Sequence, residues 1–437
     1  MTKSPCFLGG LMVILLVAGS IGYTAVEEEG LVRVGLVVNL EEIRLAAGDE
    51  GILLDLGDPA RQALPWPGDQ VLITAVAETL YINEIPVGKG PLLVIPVKSF
   101  LTWNEKGYRG ELLIINKNGR LNLINRLPLE EYLRGVVPKE IPAGWPMAAL
   151  KAQAIAARTY SLANLDRHRD DGFQLCTTTH CQVYQGITGE HPNTDRAVLE
   201  TNRVVITYND KLISAVYHDS SGGYTKDASE VWSASVPYLK PAPGWDLASP
   251  YSQWDRSFSW EELQAHLLKA YPEIGELKQL MPAAFASDGR IIKLTLMGVN
   301  GEAVVSGEQF RHATGIPSSN MKLGITYGPE PTITLWWPGG QDHPEGITTK
   351  PEIVGVTAGT TGSAYDFQLQ DKIPLRLEIR GAGRGHGVGL SQWGAKGMAE
   401  AGYNERQILE HFYPGVTLTE MVSDGENVGE TVTNVSE

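Results

Sequence analysis

Two prolines bracket a lone acid in the run Val136-Val137-Pro138-Lys139-Glu140-Ile141-Pro142, and an alanine-dense stretch from Leu150 to Thr159 follows closely. Proline lacks a backbone donor and clashes with the preceding helical turn. Regular structure is therefore expected to break around Glu140. Pro128 can open a short helix, Leu129 to Arg134, and Pro146 a longer one running to about Asp166, since proline suits the first helical turn. The alanines let another element approach closely, and three-to-four residue spacing puts Lys151, Ala154 and Arg158 near one face. A carboxyl group between apolar walls and near fixed cations can have its acidity tuned for proton transfer. Taken alone, Glu140 reads more readily as a cap for the following helix, and Lys151 and Arg158 equally well as a solvated face. The other motifs decide against both.

The chain has 437 residues, enough for two or three domains. A net charge of −15, with no clustered Lys and Arg, argues against nucleic-acid binding. Residues 7–26 carry no charge; Lys3 precedes them and Glu27-Glu28-Glu29 follow. That asymmetry orients the body outside the cytoplasm, and roughly 20 apolar residues suffice to span a bilayer. A signal peptide is the alternative; with no clear cleavage site, residues 1–30 are read as an uncleaved single-pass anchor in the cell membrane. Beyond it only Cys176 and Cys181 remain, too few for a disulfide scaffold.

The pattern predicts an α+β protein. Residues 31–107 read as a β-rich N-terminal region. From 108 to 419 the chain reads as a mixed α/β catalytic core, with a probable insertion at 328–370 and a disordered acidic tail at 420–437. Leu31 to Val38 is a buried-strand run. Asn116-Lys117-Asn118-Gly119 should close a hairpin between residues 108–115 and 121–124. Strands are also expected over Val204–Tyr208, Leu212–His218, Ile291–Gly298 and Arg376–Arg380. Helices are expected over Trp260–Ala270 behind Ser259, over Ser306–Thr314, from Ser391 to Ala401, and from Asn404 to Tyr413.

Three further constellations carry chemistry. His168, Cys176, His180 and Cys181 supply two thiols and two imidazoles, the ligand set of a closed structural zinc site. A Cys176–Cys181 disulfide or free thiols are the alternatives. Tyr217 to Gly223 ends a strand in His218, Ser220 and Ser221. A serine-hydrolase reading fails for want of a Gly-x-Ser-x-Gly elbow, whereas sugar hydrogen bonding fits. Gly383 to Gly394 reads as a tight loop lining a groove, with His386, Gln392 and Trp393 facing a polymer sugar; a packed turn burying Trp393 is the alternative. No ribose-binding βαβ unit follows the glycines, so no organic cofactor is expected.

Together, and in this order, these motifs resemble the stage II sporulation protein D family (SpoIID/LytB). The residues that carry it are Leu127 to Val137, Glu140-Ile141-Pro142, Leu150 to Ala154 with Arg158-Thr159, Cys181 to Tyr184, Ser221-Gly222-Gly223 and Gly385 to Gly394. The resemblance covers roughly residues 108–416. It implies an extracytoplasmic lytic transglycosylase that cuts peptidoglycan glycan strands stripped of stem peptides, in sporulation and engulfment. Glu140 matches the family's catalytic acid, and the Cys/His set resembles a zinc site of some members. Lys151, Arg158, Tyr184, His218, Ser221, His386 and Gln392 are implied to bind substrate. Implied partners are a cell-wall amidase (stage II sporulation protein P-like) and a membrane scaffold (stage II sporulation protein M-like). One departure is Ala148, where many relatives carry Glu, which leaves Glu140 more isolated. An acid at neutral pH needs a raised pKa, so Arg158 is expected to bind glycan or another acid rather than pair tightly with Glu140. The alternative function is a non-catalytic glycan-binding enhancer of an amidase.

Overall fold

In a computed structural model, residues 30–47, 51–58, 63–64, 66, 68, 70–97, 100–232, 234–286, 289–328, 333–337, 352–354 and 373–421 are described. The expected anchor, most of the expected acidic tail and much of 328–370 lie outside them. No helix among the described residues is long and apolar enough to cross a membrane.

The N-terminal region is built from strands, as its β-branched runs dictate. Leu31–Leu40 pairs antiparallel with Arg120–Pro128, which pairs in turn with Glu111–Lys117. Lys117 faces Arg120 across a two-residue loop, with Asn118 and Gly119 at φ 55° and 84°. Both central residues are thus left-handed, the geometry for which Asn-Gly is selected. The resulting sheet takes strands from both sides of residue 107, so the β-rich region and the segment bearing Glu140 share a core.

Leu129–Glu140 (α1) corrects one expectation. It does not stop at Arg134 but runs through Pro138 to Glu140, and Ile141 N–H donates to Val137 O to close it. Tyr132, Leu133, Val136 and Val137 are fully buried along one side. Their burial, worth about 1.5–3 kcal/mol for each large side chain, offsets the cost of proline in a last turn. Glu140 therefore ends a rigid helix, and the chain break falls at Ile141 to Pro146. Met147–Ala163 (α2) follows, buried along nearly its whole length, then Pro192–Glu200 (α3).

Ala228–Trp232 (α4) leads to a unit with its own hydrophobic core, spanning Trp254 to Ile379. It holds Trp260–Ala270 (α5) and Gly307–Thr314 (α6). Both are opened by serine capping boxes, with Ser259–Glu262 and Ser306–Gln309 as the reciprocal pairs. A three-stranded sheet and a second sheet containing Ile373–Gly381 complete it. Gln392–Glu400 (α7) and Glu405–Phe412 (α8) return to pack on α2, capped by Ser391 and Asn404 as expected. The chain has both strands and helices in segregated blocks, an α+β fold.

Candidate functional site

Glu140 stands at the C-terminal end of α1, partly buried, on the lining of a cleft of about 1230 Å³. One wall comes from the body around α1 and α2. The other comes from the 254–379 unit, through Lys293, Val304, Gln309 and Arg311. Val183 N–H donates to Glu140 Oε1 at 3.1 Å, and the side chains of Gln392 and Tyr217 hydrogen-bond the same carboxyl. Burial nonetheless pushes its pKa above the usual carboxylate range, because three donors only partly offset the lost water. The Tyr217 hydroxyl also accepts from Gln182 Nε2 at 3.0 Å, so its orientation toward Glu140 is fixed from behind.

The Gly-rich loop forms one edge of the cleft. Gly385 and Gly389 have φ of 96° and 70°, and a Cβ at Gly389 would lie 2.3 Å from Val216 O. Only glycine permits that approach, which lets Tyr217–His218 pair parallel with Leu390–Ser391. The pairing carries Tyr217, His218, His386 and Gln392 into one lining.

Both histidines are neutral. His218 Nδ1–H donates to Val388 O at 3.0 Å, which leaves Nε2 a buried acceptor with no hydrogen-bond partner among the described residues. His386 accepts from Val388 N–H through Nδ1 and donates to Tyr217 O through Nε2. Burial lowers the pKa of His218 to about 3 and of His386 to about 4. His218 Nε2 is thus free to accept a hydrogen bond from a ligand hydroxyl.

Four residues expected on substrate do not line the cleft. Arg158 is fully buried and holds Glu130 with two bonds of 2.7 Å, plus Val204 O. It binds a neighbouring acid and not Glu140, and it is sealed from ligand. Lys151 pairs with Glu200 at 2.7 Å, tying α2 to α3. Tyr184 is buried, its hydroxyl donating to Asn125 Oδ1 at 2.8 Å. Ser221 Oγ donates to Asp246 at 2.8 Å inside the fold. Each carries a polar motif group spent on assembling the site. Trp393 lies edge-on to Trp145, ring centres 5.0 Å apart, outside the cleft lining.

Asp246 had no signal of its own in the sequence. Its Oδ2 accepts from Ser220 Oγ, Ser221 Oγ, Ser391 Oγ and the amides of Ser221 and Gly222; its Oδ1 accepts from Gly223 N–H. Burial alone would raise its pKa, but these donors hold it below the usual range. One carboxylate thereby ties the strand bearing His218 to the cap of α7, which bears Gln392. The clue was the Ser-Ser-Gly-Gly run, a nest of amides suited to an anion.

His168, Cys176, His180 and Cys181 converge beside this site, with all four donor atoms within 4.8 Å of one another. Cys181 Sγ lies 3.4 Å from His168 Nε2 and 3.7 Å from His180 Nδ1; Cys176 Sγ is 3.7 Å from His180 Nδ1. A tetrahedral zinc with bonds of roughly 2.3 Å to sulfur and 2.0 Å to nitrogen puts such donors roughly 3.5 Å apart, so the set fits the ion. The two thiols are free and form no disulfide. Cys181 sits two residues before Val183, whose N–H holds Glu140.

A model of the family described as "Stage II sporulation protein" matches residues 117–208, from the Asn-Gly hairpin through α1, α2, the Cys/His loop and α3. The chain is 33% identical over 309 residues to the amidase enhancer of Bacillus subtilis (strain 168), covering 66% of this chain and 40% of that protein's length. It is 29% identical over 316 residues to the stage II sporulation protein D of Bacillus amyloliquefaciens, covering 68% of this chain and 76% of the relative. An uncharacterized protein of Brachyspira hyodysenteriae is 28% identical over 342 residues, 78% of this chain and 80% of its own. On its motifs, its Glu140 cleft and these likenesses, the chain belongs to the stage II sporulation protein D (SpoIID) family.

Proposed function

We propose that this protein is an extracytoplasmic lytic transglycosylase that cleaves peptidoglycan glycan strands stripped of stem peptides, with Glu140 as its proton donor and acceptor. The observation that carries the reading is a carboxyl group whose pKa is raised by burial, on the lining of a cleft of about 1230 Å³. Glu140 gives its proton to the oxygen between N-acetylmuramic acid and N-acetylglucosamine, and the C1–O bond breaks. The carboxylate so formed removes the proton of the muramic acid 6-hydroxyl as that oxygen closes on C1. One new C–O bond replaces the broken one, no water is consumed, and Glu140 ends as it began. Hydrolases usually need a second carboxylate to activate water or trap the sugar; the substrate's own hydroxyl takes that part here. Tyr217 and Gln392 orient the carboxyl, and both steady its charged form between the two transfers.

The Cys/His set holds a structural zinc in this reading. It leaves no open ligand position for chemistry and instead fixes the loop that presents Val183 N–H. The uncharged segment 7–26 and its flanking charges support a single N-terminal membrane pass with the body outside. A cell-wall amidase as partner is supported by the name of one relative, the amidase enhancer, and a membrane scaffold by the family resemblance. That same name favours a second reading, a glycan-binding enhancer without cleavage. The test is to incubate the full-length chain with denuded strands and analyse the ends by mass. Anhydro-muramic ends from the wild type and none from Glu140→Gln are expected. Amidase stimulation that survives Glu140→Gln, with no anhydro ends from either protein, would leave only the enhancer.

A further inference from the structure

Past the Gly-rich loop the cleft continues into a side pocket of about 370 Å³, within the range of roughly 300–1,000 Å³ typical of small-molecule sites. The two share Asp219, Arg311, His312, Arg384 and Gly385. The pocket lies between the C-terminal end of α6 and the loop, and both sides are pinned. Gly385 N–H donates to Pro317 O at 2.9 Å, and Arg384 exchanges backbone hydrogen bonds with Ser220.

The charges along this path run against those of the molecule. The chain carries −15, yet Lys139, Lys293 and Arg384 all line the cleft, are exposed, and make no ion pair among the described residues. Arg384 is held by a neighbouring ring. Its Nη1 donates to the Tyr251 hydroxyl at 2.6 Å, and its guanidinium stands 4.7 Å over that ring. A phenol hydroxyl thus positions it, and no carboxylate pairs with it among the described residues. Opposing carboxyls are few. Glu308 is engaged by Arg311, Lys226 and Ser319. Asp219 is near Arg384, but burial raises its pKa, and its Oδ1 is an unpartnered buried acceptor suited to a sugar hydroxyl or amide N–H.

We propose that this side pocket is a subsite for an acidic sugar, in which Arg384 reads a free carboxylate while Asp219, and His218 in the adjoining cleft, accept from ring substituents. The planar guanidinium matches a carboxylate with two parallel N–H donors, which a lysine cannot reproduce. Resting on the glycan-cleaving reading above, the ligand group is the free lactyl carboxylate of muramic acid. A stem peptide would convert it to an uncharged amide and fill the pocket's mouth. Arg384 would then be the residue that makes the protein prefer stripped strands.

Binding tests this independently of cleavage. Full-length Glu140→Gln protein is titrated calorimetrically with denuded GlcNAc–MurNAc oligomers and with chitin oligomers of equal length, which lack the carboxylate. A preference of about tenfold or more for the acidic glycan is expected, weakening as salt rises. Adding Arg384→Gln should abolish the preference while chitin-oligomer binding persists; Arg384→Lys should keep part of it. Equal affinity for the two glycans, or a full preference surviving Arg384→Gln, overturns the proposal. Absence of anhydro ends from the wild type would sink the cleavage reading alone, since the carboxylate preference is read without turnover.

Discussion

Glu140 and Asp246 are both carboxyl groups withdrawn from water, and they titrate in opposite directions. Burial pushes each upward. Glu140 is answered by one backbone amide, one carboxamide and one phenol, and burial wins. Asp246 is answered by three hydroxyls and three amides, and the donors win. In the proposed reaction the first must exchange a proton, whereas the second is held in its charged form. Glu140 has a cleft beside it; Asp246 is sealed behind the strand and loop it joins.

The largest effect that could break this comparison is on turnover. Glu140→Gln should cut glycan cleavage by about 10²–10⁴-fold or more while the fold persists. Because folding raises the Glu140 pKa, the folded state holds that proton more tightly. The stability it contributes is full below the unfolded value of about 4.3 and is lost as pH rises through the folded value. The Gln variant should therefore melt no lower than wild type at neutral pH, by differential scanning calorimetry. A variant that unfolds would mean Glu140 is a structural cap.

Asp246→Ala should do the reverse. Six donors lose their acceptor, and a loss of about 3–5 kcal/mol in denaturant unfolding is expected, with cleavage falling through misplacement of Gln392 and His218. Since the Asp246 pKa is lowered on folding, its stabilisation is present above about 3.9 and disappears as pH falls through the folded value. An unchanged midpoint would erase the contrast.

Metal removal sharpens the picture of Glu140's surroundings. Metal analysis should find one zinc per chain, and Cys181→Ser should lose it. Freed of its anchor, Val183 N–H would hold Glu140 less well, lowering cleavage about 2–10-fold, the worth of one hydrogen bond. The smallest effect concerns the neighbouring imidazole. With pKa values of about 3 and 4, His218 and His386 should place no limb near 6.5 in the pH profile. His218→Ala should raise KM several-fold with little change in kcat, since it removes an acceptor for sugar and not a proton carrier.

Much of this was readable from residue order. The Asn118-Gly119 turn, the serine capping boxes and the Gly-rich loop are local devices whose chemistry needs no tertiary context. The Glu140 and Gln392 pairing at the cleft was within reach because both sit in motifs. Helix α1 was read too short because proline's local penalty is visible in sequence, while the core contacts that outweigh it come from strands up to a hundred residues away. Arg158, Lys151 and Tyr184 were placed on substrate because polarity in a motif does not disclose whether its partner is a ligand or Glu130, Glu200 or Asn125. Asp246 was missed for the same reason in reverse, since its six partners lie elsewhere along the chain. The 254–379 unit, which supplies the opposite wall of the cleft, likewise declares itself only through its separate core.

Mass analysis of the ends made on denuded glycan strands bears most directly on the central claim. If Glu140 donates and then recovers a single proton, the wild type yields 1,6-anhydro-muramic ends, 18 mass units (about one water) below hydrolysed ones, and Glu140→Gln yields none. Reducing muramic ends from the wild type, or anhydro ends from both proteins, would contradict it.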